Sequence, residues 1–216
     1  MGLNKSEFSA KCKSQTWRTV VICLWLATGL GAAETKTLLF FGDSLTSGYG
    51  LDPDDAYPAL IQRKLEAAGQ PWRVVNAGLS GETTAGGLRR LDWILRQRVD
   101  IFVLELGGND GLRGIDPETS RANLEAMIKR IRERYPSVKI VLAGMQMPTN
   151  MGASYSHQFA AIYPDLADKT QVVLIPFLLA GVGGVPELNL PDGIHPTAAG
   201  HKIVAETVWR ALQPLL

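Results

Sequence analysis

The chain has 216 residues, 46% of them hydrophobic and 20% charged, and its two cysteines are Cys12 and Cys23. That length suits one globular domain or at most two small ones, and the composition excludes collagen-like, disordered and disulfide-scaffold chains. The formal charge is +1, but residues 1–33 hold Lys5, Lys11, Lys13 and Arg18 against Glu7 alone, so the remainder carries −2. A slightly acidic body gives no electrostatic reason to expect a nucleic-acid partner.

In chain order, the first feature is an export signal. Lys11, Lys13 and Arg18 precede an apolar run from Val20 to Leu30, which Gly31-Ala32-Ala33 closes. A positive segment, a short apolar run and a small-x-small end predict a secretory signal peptide over residues 1–33, cleaved after Ala33. The run falls short of the roughly 18 residues of a membrane span, so no stable span is expected after cleavage; an uncleaved anchor is the alternative. Cys23 as a lipoprotein site is disfavoured by the bulky Ile22 before it. The expected location is the periplasm or the medium. Residues 34–216 would then form one domain without cysteine, held by its core alone.

The rest alternates strand and helix. Thr37–Phe41 is a short apolar run ending at Gly42 and reads as a buried strand. A helix is predicted over 56–69, a strand over Trp72–Ala77 stopped by Gly78, and a helix over 83–98 with Leu88, Leu91 and Leu95 on one face. Ile101–Leu106 is a third strand, a helix follows over 117–134, and Lys139–Ala143 is a fourth strand. A helix over 154–169, a strand over 172–175 and a helix over 197–212 complete the series. Continuous apolar strands separated by amphipathic helices predict a parallel sheet covered on both faces.

Function in such a sheet collects at the carboxyl ends of the strands. Four polar or glycine-rich segments fall there: Gly42–Leu45, Asn76–Gly81, Gly107–Asp110 and Asp192–His195. A serine hydroxyl needs a base to take its proton, and the base needs a carboxylate to fix its tautomer. Ser44, His195 and Asp192 can fill these roles. The backbone N–H of Ser44, the backbone N–H of Gly78 and the side-chain amide of Asn109 are candidate donors for the oxyanion. Taken alone, Ser44 reads as a helix N-cap, Gly78 as a strand stop and Asn109 as a turn residue. Asp43 reads as a structural hydrogen-bonding group, and Glu105 as a buried structural acid because a carboxylate inside an apolar strand is costly unless paired. His157 and His201 have no ligand spacing with His195 and read as surface residues, so no metal is expected.

The block Phe41-Gly-Asp-Ser-Leu-Thr46, Gly78, Asn109 in Gly-Gly-Asn-Asp, and Asp192-x-x-His195 together resemble the SGNH, or GDSL, hydrolases over nearly all of residues 34–216. The stretches Glu105–Gly114 and Pro191–Pro196 are similar to the bacterial thioesterase I, lysophospholipase L1 and arylesterase subgroup. The resemblance implies a flavodoxin-like three-layer α/β/α fold with strand order 2-1-3-4-5. It implies Ser44 as nucleophile, His195 as base, Asp192 as its orienting acid, and Gly78 and Asn109 in the oxyanion hole. The G-x-S-x-G pattern of α/β-hydrolases is absent, since Thr46 stands two after Ser44, and no dinucleotide fingerprint follows the first strand.

Substrate choice is expected from apolar loops around these residues. Met145, Met147, Met151 and Tyr155 cluster after the fourth strand, Leu179, Val182, Val185 and Leu188 lie in the loop after the fifth, and Leu112 follows the Gly-Gly-Asn-Asp block. Such surfaces suit an acyl chain or an aryl group. The expected activity is hydrolysis of a small-molecule ester without a cofactor, with a thioester or lysophospholipid as the alternative substrate. A non-catalytic flavodoxin-like binding module is the alternative of another class.

Overall fold

The computed structural model describes Met1 and residues 35–216; the expected signal peptide lies outside the described residues. Five parallel strands form one sheet in the order β2-β1-β3-β4-β5. They are β1 (Lys36–Gly42), β2 (Trp72–Gly78), β3 (Ile101–Glu105), β4 (Lys139–Ala143) and β5 (Val173–Ile175). Leu38, Leu39, Phe40 and Phe41 in β1, and Ile101 to Leu104 in β3, are all buried. A strand buried along every consecutive residue is covered on both faces.

The cover comes from seven helices among the described residues. They are α1 (Ser44–Ser47), α2 (Tyr57–Ala67), α3 (Thr84–Ile94), α4 (Gly108–Leu112), α5 (Pro117–Arg134), α6 (Ala153–Thr170) and α7 (Ala198–Leu212). Helix α2 packs against α7, while α5 lies between α3 and α6. The starts of the long helices follow local chemistry. The Thr83 hydroxyl accepts from Gly86 N–H, Asp116 from Glu118 N–H ahead of Pro117, and Thr197 from Gly200 N–H. Each satisfies a backbone donor that the first helical turn leaves unpaired.

Most element ends lie within one or two residues of the sequence expectation; the larger or instructive departures are at α3, at the end of β2 and at two short helices. Helix α3 stops at Ile94 although Leu95 is buried, so the apolar period runs one residue past the helical hydrogen bonds. Gly78 is the last residue of β2 and does not stop it. Helices α1 and α4 were expected as loops; at four and five residues they are too short for a hydrophobic period to register.

Register places the site. Gly42 pairs with Gly78 on one side and with Glu105 on the other, so β1, β2 and β3 end at one level. The chain leaves β1 for β2 on one flank and then crosses to β3 on the other, which makes the end of β1 a topological switch point.

Candidate active site

Ser44 is the first residue of α1, immediately beyond β1, and Asp43 caps that helix by accepting from Leu45 N–H at 3.0 Å. The cap is therefore Asp43, and Ser44 keeps its hydroxyl for another partner. That partner is His195: its Nε2 lies 2.8 Å from Ser44 Oγ. Its Nδ1 lies 2.7 Å from Asp192 Oδ2. The other carboxylate oxygen of Asp192 accepts from Ile194 N–H at 2.9 Å and from His195 N–H at 3.0 Å. These bonds, the backbone one from His195 foremost, hold the Asp192 carboxyl at about 2, below its usual value. The loop is closed by Leu190 N–H donating to His195 O at 2.7 Å and by a bridge between Asn189 and Pro196. The Tyr49 ring, half exposed, lies over His195 with 4.5 Å between centroids.

On the other side of Ser44 is a buried acidic pair. Glu105 is fully buried, and its Oε2 accepts from Thr46 Oγ1 at 2.6 Å and from Asp43 N–H at 3.2 Å. Among the described residues its Oε1 has no partner. Burial, and then the charge of Asp43, push Glu105 well above the usual carboxylate range, which favours the neutral acid. Gly42 is glycine because a side chain there would collide with Thr46 Oγ1 and Glu105 Oε2. Asp43 is buried as well, and burial raises it to about 6 against the bonds it accepts from Leu45 and Asn109.

Asn109, in α4, donates from Nδ2 to Asp43 Oδ2 at 3.1 Å and to Glu82 O at 3.0 Å. Its amide therefore ties the end of β1 to the loop after β2. Glu82 in that loop is paired with Arg90, whose guanidinium also donates to Ala77 O at 2.8 Å and lies over the Phe41 ring. Asp110 accepts from Thr84 N–H at 2.9 Å and from Ser120 Oγ at 3.2 Å, joining α4 to α3 and α5.

Gly78 does not stand as expected. Its N–H donates to Asn76 Oδ1 at 2.9 Å, and a side chain there would run into the backbone of Ser47. The reason for glycine at 78 is close packing between β2 and α1, and its amide is occupied. Gly81 lies three residues further on, with φ of 79°, next to the Glu82 carbonyl that Asn109 holds. The N–H groups of Ser44 and Gly81 have no acceptor among the described residues. Asn76-Ala-Gly-Leu-Ser-Gly81 contains two glycines, and only the one that ends the loop has left-handed backbone.

An apolar cavity of about 480 Å³ opens beside Ser44, lined by Leu45, Leu112, Met147 and Ile194 among others. Leu112, Met145, Met147 and Leu179 were anticipated and line it; the expected Met151, Tyr155, Val182, Val185 and Leu188 are not in its wall. Val182 is fully buried in the core, and Met151 and Leu188 pack against it. Tyr155 instead donates its hydroxyl to Ile115 O at 2.8 Å, bracing the turn after α4. Phe177, which the sequence did not single out, completes the wall. His201 is not at the surface: it is buried, and its Nδ1 accepts from Tyr57 N–H at 3.1 Å, locking α7 to α2.

A strand-end serine in hydrogen-bond reach of a histidine, the histidine oriented by a carboxylate, an amide beside them and an apolar cavity define a site suited to acyl transfer. The model of the GDSL-like lipase/acylhydrolase family matches residues 40–203, and the chain belongs to that family. It is 42% identical to esterase TesA of Pseudomonas aeruginosa over 195 residues, covering 90% of this chain and 96% of that protein. It is 37% identical to thioesterase 1/protease 1/lysophospholipase L1 of Escherichia coli strain K12 over 201 residues, covering 93% of this chain and 94% of that one. The crystal structure of TesA superposes with a TM-score of 0.81 at 43% identity, covering 84% of this chain and all of that one, 100%.

Proposed function

We propose that this chain is a serine esterase that hydrolyses aryl or short-to-medium acyl esters through a covalent acyl-enzyme. The observation that carries the reading is the unbroken hydrogen-bond path from Asp192 Oδ2 through His195 to Ser44 Oγ, beside an apolar cavity. Ser44 Oγ bonds to the ester carbonyl carbon as its proton passes to His195 Nε2. Asp192 holds the Nδ1–H tautomer and stabilises the imidazolium. The N–H groups of Ser44 and Gly81, the latter in place of Gly78, meet the oxyanion; the Asn109 amide, whose two hydrogens go to Asp43 Oδ2 and Glu82 O in the free site, joins them by exchanging one of these bonds for the oxyanion when substrate binds. Collapse breaks the bond to the leaving oxygen, which takes the proton from Nε2. Water, with His195 again as base, then releases the acid and restores Ser44.

The test is Ser44→Ala in residues 34–216. Removing the nucleophile should lower kcat by at least about 10⁴-fold with the circular dichroism unchanged. Fluorophosphonate labelling should disappear with it. Wild-type protein that neither turns over esters nor takes the label would be a binding module instead. A thioester or lysophospholipid as main substrate is the second reading, favoured by the name of the Escherichia coli relative; kcat/KM on acyl-CoA and lysophospholipid beside aryl esters decides it. The site of action is assigned to the periplasm or the medium, on the basis of residues 1–33. N-terminal sequencing of the exported protein should begin at Glu34.

A further inference from the structure

Two side chains of α4 and its cap reach the same loop. Asn109, in the first turn, donates to Glu82 O at 3.0 Å, and Arg113, the C-terminal cap, donates from Nη2 to Gly81 O at 3.0 Å. Residues at this spacing share a face of a helix, and the two carbonyls they hold are neighbours in the chain. The platform is itself fixed, because Tyr155 braces Ile115 O and Asp110 ties α4 to α3 and α5. Gly81 needs such a hold. Its φ of 79° belongs to glycine, the residue whose own backbone restrains it least. Its N–H, without an acceptor among the described residues, is the donor assigned to the oxyanion. Arg113 fixes the carbonyl on the other side of the same Cα, and its Nη2 lies 3.9 Å from where a Cβ of residue 81 would stand.

Resting on the esterase reading of the site, we infer that Arg113 is a positioning residue of the oxyanion hole: it keeps the Gly81 N–H in line while Asn109 exchanges a bond for the oxyanion. Both amide hydrogens of Asn109 are used in the free site, one on Asp43 Oδ2 and one on Glu82 O. A bond to a carboxylate is stronger than one to a neutral carbonyl, so the bond released is that to Glu82 O. From that moment Arg113 is the bond that still joins α4 to the loop. Arg113 touches no reacting atom and acts through Gly81. Its effect belongs to the transition state, because the ground-state ester carries no oxyanion.

The test compares wild type, Arg113→Met and Arg113→Lys on p-nitrophenyl acetate, with butylboronic acid as inhibitor. Its boron bonds to Ser44 Oγ and forms a tetrahedral anion that sets an oxygen where the oxyanion develops. Deleting an oxyanion donor costs on the order of 10²–10³ in kcat, and a donor that stays but swings out of line should cost about ten-fold. Arg113→Met is similar in length and has no N–H. It should lower kcat about ten-fold, leave KM within about two-fold, and weaken the boronic acid about ten-fold. Arg113→Lys restores a donor and should recover most of both losses. In an Asn109→Ala background, where Arg113 alone joins α4 to the loop, Arg113→Met should again cost about ten-fold or more. A kcat for Arg113→Met within about two-fold of wild type overturns the inference. So does a loss confined to KM, an unchanged boronic-acid affinity beside a lowered kcat, a lysine variant no better than methionine, or no further loss in the Asn109→Ala background. Each of these leaves the esterase reading standing. Wild type no faster than Ser44→Ala on the ester removes that reading, and this inference falls with it.

Discussion

Two aspartates flank the same serine and are held in opposite ways. Asp192 stands at the rim, its side chain about one-third exposed at 37%, and accepts three N–H groups from its own loop. Hydrogen bonds hold it at about 2, ionised at any pH the enzyme meets. Asp43 lies behind the serine, buried against Glu105, and accepts from two donors. Desolvation outweighs them and lifts it to about 6. Fixed donors and solvent keep a carboxylate charged, whereas fewer donors and no solvent leave it balanced between two protonation states. The rim aspartate suits permanent support of an imidazolium; the buried one positions a neighbouring amide in a way that depends on its own charge.

The largest effect should come from neutralising the rim. Asp192→Asn keeps an oxygen for the Ile194 and His195 backbone donors but offers an amide to Nδ1, which favours the wrong tautomer. We expect kcat to fall by about 10⁴-fold; a loss below ten-fold in steady-state kinetics would mean that something else orients His195. On the buried side, Asn109→Ala should cost on the order of 10²–10³ in kcat with KM little changed. Asp43→Asn replaces the acceptor that Asn109 uses with a second donor, a loss of about 10- to 100-fold. If Asp43 acts through Asn109, the double variant should be no slower than Asn109→Ala; additive losses would separate the two.

The smallest effect is on stability. Asp43 binds a proton more tightly in the folded protein than in the unfolded chain, whose value is near 3.8. Its contribution is therefore fully present below pH 3.8 and is lost as pH rises through 6, by roughly 3 kcal/mol at most. His201 runs the other way. Burial lowers it from 6.5 to about 4, so its contribution is lost as pH falls through that window. Urea melts at steps between pH 4 and 7 should show Asp43→Asn gaining on wild type as pH rises, and His201→Gln flattening the opposite slope. Parallel curves for all three proteins would remove both assignments.

Much of this was legible in the sequence because strands buried on both faces are written as unbroken apolar runs, and their carboxyl ends are marked by glycine and polar residues. Ser44, Asn109, Asp192 and His195 could all be found that way, and so could the burial of Glu105 inside such a run. Direction was harder. Gly78 and Gly81 look alike in sequence, and only the structure shows which amide is already bonded and which backbone is left-handed. Val182 and Leu188 turn inward while Phe177 and Leu179 face the cavity, because loop side chains follow tertiary packing and carry no period. His201 reads as a surface residue in the sequence because its donor, Tyr57 N–H, is 144 residues away.

The closure of the loop around His195 has a consequence for heat inactivation. Asp192 and His195 reach each other within one short loop, pinned at its neck by the Asn189–Pro196 bridge, whereas Ser44 opens α1 directly after β1, an inner strand of the sheet. Opening that neck separates base from nucleophile while every strand stays paired, and the separation costs only the bonds of one exposed loop. The His195–Ser44 contact is thus the first to be lost on warming, before any strand unpairs, and the last to return on cooling.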